Sequence, residues 1–369
     1  MRLGVPKETA AGENRVALVP DSVARLIKAG LEVVVEVDAG AHAYFNDQAY
    51  LKAGATVIPE VAKVFGDSDL VVKVQRPSSA EIAMMRTGGA LVAMIAPAAS
   101  GEMLGLLASR TISTLAMELV PRISAAQTMD ALSSQATVSG YKAVLLGAGT
   151  IGRMMPMMIT AAGTLIPSKV FIIGAGVAGL QAIATARRLG AVVSAFDVRA
   201  AARQEVESLG ATFVATADAP QNAEAAGGYA RELKDDETAR VLAAIGAHIH
   251  DQDLVITTAQ IPGRQAPRLI TAAMVATMKP GAVIMDLAAE TGGNCELTRY
   301  GETVESGGTK ICGVGNLAPT IPAHASQMYS RNIEALVRHI VKDGALNFDV
   351  NDRITGPMLV THAGEVRYH

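Results

Sequence analysis

Short apolar, β-branched runs alternate with segments of helical period from the first residues of the chain onward. LGVP (3–6) reads as a strand, and PDSVARLIKAG reads as a helix with Asp21 or Ser22 as its N-cap, Val23, Leu26 and Ile27 on one face, and Gly30 as its stop. LEVVVEV (31–37), DLVVKV (69–74), ALVAMIA (90–96) and ISTLAME (112–118) follow as strands with helical stretches between them. A second series runs through KVFII (from 169), AVVSAF (191–196), TFVA (212–215), LVITTA (254–259), AVIMDLA (282–288) and KICGV (310–314), six strands in all. From Pro322 the tail holds SQMYSRNIEALVRHIVKDG, an amphipathic helix with Ile333, Leu336, Val337 and Ile340 on one face. This alternation predicts an α/β protein with parallel sheets and crossover helices. Two doubly wound α/β domains are expected, the first built from both chain ends (1–130 and 318–369) and the second (131–317) inserted into it.

Composition narrows the partners. Apolar residues make up 50% of the 369, and 32 basic side chains nearly balance 35 acidic ones. No basic footprint for nucleic acid or an anionic membrane is left. Cys295 and Cys312, 17 residues apart with no C-x-x-C and no neighbouring histidine pattern, read as two reduced thiols rather than a disulfide or zinc site. The start MRLGVPKE lacks the apolar core of a secretory signal. The uncharged runs 87–101 and 154–168 are 15 residues each and contain prolines, too short to span a bilayer. The seven histidines show no metal or triad spacing, and His248 and His250 are expected to be solvated or capping.

Two stretches fit G-x-G-x-x-G: VLLGAGTIG (144–152) and FIIGAGVAG (171–179). Their glycines are 27 residues apart, and a strand, helix and returning strand need about 30, so both cannot open a Rossmann unit. A working loop needs a strand before it, an unbroken helix after it and an acid roughly 20 positions on. The second copy has KVFII, then GLQAIATARRLG, then Asp197, 21 residues past Gly176. The matching offset from Gly149 lands on Val170, and Pro156, Gly163 and Pro167 break the segment after the first copy. FIIGAGVAG is therefore the expected cofactor loop, with Gly174 for the tight turn, Gly176 for close approach of the pyrophosphate and Gly179 for helix–strand packing. Asp197 would accept from ribose hydroxyls and repel a 2′-phosphate by on the order of a few kcal/mol, which selects NAD(H). In the first copy Gly147, Gly149 and Gly152 are expected to lie where close packing compensates for glycine in a helix.

The stretches VPKE, GENRVALVP, VKVQRP, PRISAAQTMDALSSQ, GVAGLQAIATARRLGAVV, DVRAA, AAGGYA, IPGRQAP and DLAAETGGNC, in this order, resemble the alanine dehydrogenase and transhydrogenase superfamily over nearly the whole chain. Within it, the resemblance points to the NAD(H)-binding component of proton-translocating NAD(P) transhydrogenase. Alanine dehydrogenases use a lysine and a histidine in the first domain to bind and protonate an amino acid. Here Gln75 stands at the position of the lysine, Ala96 and Pro97 where the imidazole would sit, and Glu290 in place of a late aspartate. Without an acid and base, reductive amination has no proton path.

Hydride transfer between two nicotinamides needs only proximity and orientation. The family supplies them with R-x-x-x-x-Q-x-x-D-x-x-S, which reads Arg122, Gln127, Asp130 and Ser133 here. The resemblance implies that Arg122, Asp130 and Ser133 fix the nicotinamide carboxamide and ribose. It implies that Gln127 bridges towards the second nucleotide, and that Ile123, Ser124, Thr128 and Met129 complete the loop. It further implies Val177, Ala178 and Gly179 at the pyrophosphate, Asp197, Val198 and Arg199 at the adenosine ribose, and Gly228 with Tyr229 on a loop closing over nucleotide. Gln260 would lie by the adenine, where the family usually has an apolar residue.

Implied partners are a membrane-embedded proton-translocating subunit and a domain that binds NADP(H), with a homodimer of this chain. The implied location is cytoplasmic, at the cytoplasmic face of the inner membrane and held there by partner subunits. The connecting helix is expected over 131–160. The alternatives are an alanine dehydrogenase-like amino-acid oxidoreductase and a catalytically silent NAD-binding module.

Overall fold

A computed structural model describes residues 1–216, 231, 233–261 and 264–368. The chain divides into two compact units, Met1–Gln135 with Pro319–His369, and Ala136–Ala318. The boundary falls inside one long helix, Ala131–Thr150.

The first unit is an eight-stranded sheet. Across it lie Glu365–Val366, Leu359–His362, Ser113–Ala116, Ala90–Ala93, Leu70–Val72, Arg2–Val5, Glu32–Glu36 and Thr56–Ile58. The last six, from Ser113–Ala116 to Thr56–Ile58, are mutually parallel. Arg2–Val5 pairs with both Glu32–Glu36 and Leu70–Val72, so chain order reverses at the first strand, as in a doubly wound sheet. Leu70–Val72 and Ala90–Ala93 are buried at every residue, because helices cover both faces of a parallel sheet. The chain's end then adds two antiparallel strands, Leu359–His362 on Ser113–Ala116 and Glu365–Val366 outside it. Helix Pro322–Ile340 buries Ile333, Leu336, Val337 and Ile340 against Leu3, Val5, Val33 and Val72. Each such side chain contributes about 1.5–3 kcal/mol of apolar burial. The first helix departs from the expectation at its start: it spans Pro20–Lys28 with Val19 as N-cap and no side-chain cap, because Pro20 occupies the first helical position.

The second unit has seven strands in the order Thr212–Phe213, Val192–Phe196, Lys169–Ile173, Leu254–Thr257, Val283–Asp286, Thr309–Gly313 and Thr303–Ser306. Six are parallel in Rossmann order, and Thr303–Ser306 adds an antiparallel edge. The central strands serve two cores by alternation: Val170, Ile172, Leu254 and Ile256 point to one face, Phe171, Ile173 and Val255 to the other.

The segment VLLGAGT lies within Ala131–Thr150, so the first glycine pattern is helical and the helix stops short of residue 160. Only one of its glycines is tightly packed. A Cβ on Gly147 would come within 2.7 Å of the Leu254 side chain, whereas one on Gly149 or Gly152 would meet open space. Gly152 lies beyond the helix and incurs no helix penalty, while Gly149 faces outward near its end and its penalty is left uncompensated, contrary to the close packing expected of both. The closest approach is made instead by Gly140, where a Cβ would lie 2.1 Å from the Ala178 carbonyl oxygen. After the helix, Met158–Thr160 and Gly163–Leu165 form an antiparallel hairpin with exposed residues throughout.

Candidate nucleotide sites

Strand Lys169–Ile173 delivers the second glycine pattern, and helix Val177–Arg188 begins immediately after Gly176. Gly174 has φ of +96°, a conformation in which a side chain is strained, and a Cβ there would come within 2.7 Å of Thr258 Oγ1. The Thr258 hydroxyl donates to the Gly174 carbonyl at 3.0 Å and holds the turn. At Gly179 a Cβ would lie 1.8 Å from the Gly174 oxygen, so only glycine lets the helix sit this close to the strand. Gly176 differs from both. It is exposed, with open space where a Cβ would project, and Val177 beside it is exposed as well. The cradle a phosphate needs is present: bare backbone at the N-terminus of a twelve-residue helix whose first amides have no intrahelical acceptor.

Asp197 follows the next strand, Val192–Phe196. Its Oδ2 accepts from the Ala175 amide at 2.7 Å, which ties the acid to the glycine turn. Its Oδ1 accepts from the Arg199 amide at 2.9 Å and from Arg199 Nε at 3.0 Å. The Arg199 guanidinium also donates to Asp197 Oδ2 and to the Ala175 carbonyl. Val198 between them is half-buried. Gln260, exposed after strand Leu254–Thr257, donates through Nε2 to the Leu287 carbonyl at 3.0 Å. Gly228 and Tyr229 lie outside the described residues. His248 is not simply solvated: it is half-buried, bonds Ser194 Oγ at 2.7 Å and packs edge-on to Phe171.

In the first unit, Arg122, Ile123, Ser124, Gln127, Asp130 and Ser133 line one polar pocket of about 230 Å³. A 3-10 helix, Ser124–Met129, carries Gln127, whose side chain is exposed. Spacing by three eclipses side chains in such a helix, so Gln127 and Ser124 share an edge. Asp130 then starts the long helix as its cap: Oδ1 accepts from the Ser133 amide at 2.9 Å and Oδ2 from the Ser133 hydroxyl at 2.6 Å. Met129 is buried in the core and Thr128 is exposed with its carbonyl held by Asn332, so neither side chain lines the pocket.

Gln75 and Ala96 hold no proton-transfer group. Gln75 donates to Glu13 Oε2 at 2.8 Å, and Ala96 adopts a left-handed backbone with φ of +50° while the Ile95 amide donates to Glu118 at 2.8 Å. Beside them Lys73 is buried and paired with Glu81 at 2.8 Å and Glu8 at 3.3 Å. Burial pushes the Glu8 carboxyl above the usual range, against the pull of Lys73. These polar groups, with Arg15, Gln135 and Asn332, escape a motif search. Their one signal is polar character at positions that interrupt apolar runs, such as Ser326 and Ser330 on the buried stripe of Pro322–Ile340, whose hydroxyls accept from the Val16 and Val19 amides.

The family pattern described as "Alanine dehydrogenase/PNT, N-terminal domain" matches residues 4–139, and "Alanine dehydrogenase/PNT, C-terminal domain" matches 143–369. A Rhodospirillum rubrum protein, named as the first part of NAD(P) transhydrogenase subunit alpha, is 44% identical over 374 aligned residues, covering 99% of this chain and 97% of that protein. The crystal structure of a transhydrogenase from Sinorhizobium meliloti superposes with a TM-score of 0.91 at 44% identity, covering 99% of this chain and all of that one. "Alanine dehydrogenase 2" of Staphylococcus aureus is 32% identical over 81% of this chain and 74% of its own. Among the described residues no helix is long and apolar enough to cross a membrane. The chain belongs to the alanine dehydrogenase/PNT family, on the side of its transhydrogenase alpha subunits.

Proposed function

We propose that this chain is the NAD(H)-binding subunit of a proton-translocating NAD(P) transhydrogenase. It would exchange hydride directly with NADP(H) held on a partner domain. The observation that carries the reading is the pocket of Arg122, Gln127, Asp130 and Ser133 in a protein whose amino-acid proton groups are replaced by Gln75 and Ala96. NAD(H), when bound, supplies a nicotinamide C4 that gives or takes the hydride.

The chain's own residues bind and orient. Gly174, Gly176, Val177, Ala178 and Gly179 receive the pyrophosphate, and Asp197, Val198 and Arg199 the adenosine ribose, with Gln260 by the adenine. Arg122, Ile123, Ser124, Asp130 and Ser133 set the nicotinamide end, and Gln127, exposed at the pocket rim, faces the partner nucleotide. Gly228 and Tyr229 belong to the same reading as a closing loop. Transfer of hydride between two like rings leaves no net proton to handle, so an arrangement of amide, hydroxyl and guanidinium groups suffices.

Proton translocation resides in a membrane-embedded partner subunit, with this chain peripheral at the cytoplasmic face of the inner membrane. The homodimer finds support in the hairpin Met158–Leu165 and its flanks, where Ile159 in the hairpin and Ile166 just after it are 78% and 75% exposed, with Met154 and Met157 exposed just before it. A contiguous apolar surface of this kind marks an association face. The test combines this chain with an NADP(H)-binding domain carrying NADP(H) and follows hydride passing from NADH to that NADP⁺ and from the resulting NADPH to an acetylpyridine analogue of NAD. Exchange that requires both proteins is expected; none at saturating nucleotide, or NADH formation from alanine by this chain alone, overturns the reading.

A further inference from the structure

The pocket residues come from two elements that meet at Asp130. The 3-10 helix Ser124–Met129 brings Gln127, the helix Ala131–Thr150 brings Ser133, and Asp130 between them has an extended ψ of 89°. One side chain from a third element spans the joint. Asn332, on helix Pro322–Ile340 and buried to 7% exposure, donates through Nδ2 to the Thr128 carbonyl at 2.8 Å and accepts through Oδ1 from the Ser134 hydroxyl at 2.7 Å. Thr128 follows Gln127, and Ser134 follows Ser133. A single planar carboxamide therefore sets the spacing between the two halves of the pocket. Its frame is braced in turn: Gln135 Nε2 donates to the Ala325 carbonyl on the same helix at 3.1 Å, and Gln135 Oε1 accepts from Arg15 Nη1 at 2.8 Å. Arg15 is itself clamped by both oxygens of Glu13, at 2.8 and 2.7 Å, with both side chains almost fully buried.

We propose that Asn332 is a positioning residue for hydride transfer, acting through Thr128 and Ser134 to hold Gln127 at a fixed distance from Asp130 and Ser133. The proposal rests on the transhydrogenase reading and deepens it. A donor and an acceptor in one rigid plane do what neither contact does alone: they couple two backbone segments without touching the nucleotide. Reaction geometry is sensitive to shifts of about 1 Å, so loosening the joint should slow transfer more than it weakens binding.

Two variants test this. Asn332→Asp keeps the shape and the acceptor to Ser134 but sets a carboxylate oxygen against the Thr128 carbonyl; Ser134→Ala removes the other half of the bridge. In the exchange assay with the partner domain, Asn332→Asp is expected to lower kcat by about tenfold to a hundredfold. The KM for NADH should change little in either variant, while the unfolding midpoint of Asn332→Asp is expected to fall, because a buried carboxylate then faces the Thr128 carbonyl. Ser134→Ala should give a smaller loss of the same kind, and decides the matter alone if Asn332→Asp does not fold. Unchanged kcat in both, or KM rising with kcat intact, overturns the proposal. Gln127→Asn run in parallel separates the levels: if it slows transfer while the Asn332 and Ser134 variants do not, the positioning idea fails and the reading stands. If wild type transfers no hydride, or Gln127→Asn changes nothing, the reading fails and the proposal with it.

Discussion

A methyl group placed on each of two glycines distinguishes a nucleotide loop from a helix that copies its pattern. Gly176 has φ of −76° and ψ of −168°, which alanine adopts freely, and its Cβ would meet open space. Gly176→Ala therefore loses little folding stability: a small penalty at the helix N-cap is offset by about 0.4–1 kcal/mol from the stiffer unfolded chain. A phosphate oxygen accepting at about 2.9 Å from the amides beyond Gly176 leaves no room for that methyl. Losing one charge-assisted hydrogen bond costs about 1.5–3 kcal/mol, a rise in Kd for NADH of roughly ten- to a hundredfold.

Gly149→Ala should behave in the opposite sense. Its Cβ also meets open space, but on the outward face of Ala131–Thr150, where alanine is favoured over glycine by roughly 0.5–1 kcal/mol. For a domain of this size the unfolding midpoint should rise by about 1–4 °C, with NADH affinity unchanged. Fluorescence titration of NADH and differential scanning calorimetry on the two variants read both quantities. A raised Kd in Gly149→Ala, or a normal Kd in Gly176→Ala, refutes the assignment of the loop.

Gln127→Asn should slow hydride exchange by about tenfold or more while leaving NADH affinity within twofold; equal loss of both in stopped-flow and titration measurements would make Gln127 an ordinary binding residue. Ile159→Glu, in the exposed hairpin, should convert the proposed dimer to monomer in sedimentation velocity without loss of secondary structure; a persistent dimer places the interface elsewhere. Asp352 gives a pH dependence: burial raises its carboxyl, but the Thr355 and Ile354 amides, His339 and the Thr355 hydroxyl outweigh it and bring it down to about 2. A lowered folded value stabilises fully above the ordinary aspartate range near 4 and is lost as pH falls towards 2. The stability gap between wild type and Asp352→Asn in urea unfolding should therefore shrink between about pH 5 and pH 2; a constant gap contradicts the linkage.

The parallel strands were legible because burial on both faces leaves uninterrupted apolar runs, as in Leu70–Val72 and Val283–Asp286. Several observed strands were shorter than their apolar runs, since residues such as Met94 and Ile95 continue the pattern past the last paired position, whereas Lys169–Ile173 spans its run in full. Edge elements escaped. Thr56–Ile58 and Thr303–Ser306 are short and half-exposed, and Leu359–His362 joins the sheet only through a partner some 245 residues away in sequence. The role of a helical glycine was unreadable, because it depends on what crosses it: Gly140 meets the backbone of Ala178, while Gly149 meets nothing. Among pocket residues, Arg122, Gln127, Asp130 and Ser133 share one motif and one pocket. Asn332, 199 positions after Ser133, carries no local signal linking it to them.

Direct passage of hydride between two nicotinamides, without exchange with water, leaves an isotopic signature. NADH deuterated at the transferable C4 position, incubated in ordinary water with this chain, an NADP(H)-binding domain and NADP⁺, should yield NADPH that carries the full label at C4. Label appearing in water, or NADPH formed without it, would contradict direct transfer.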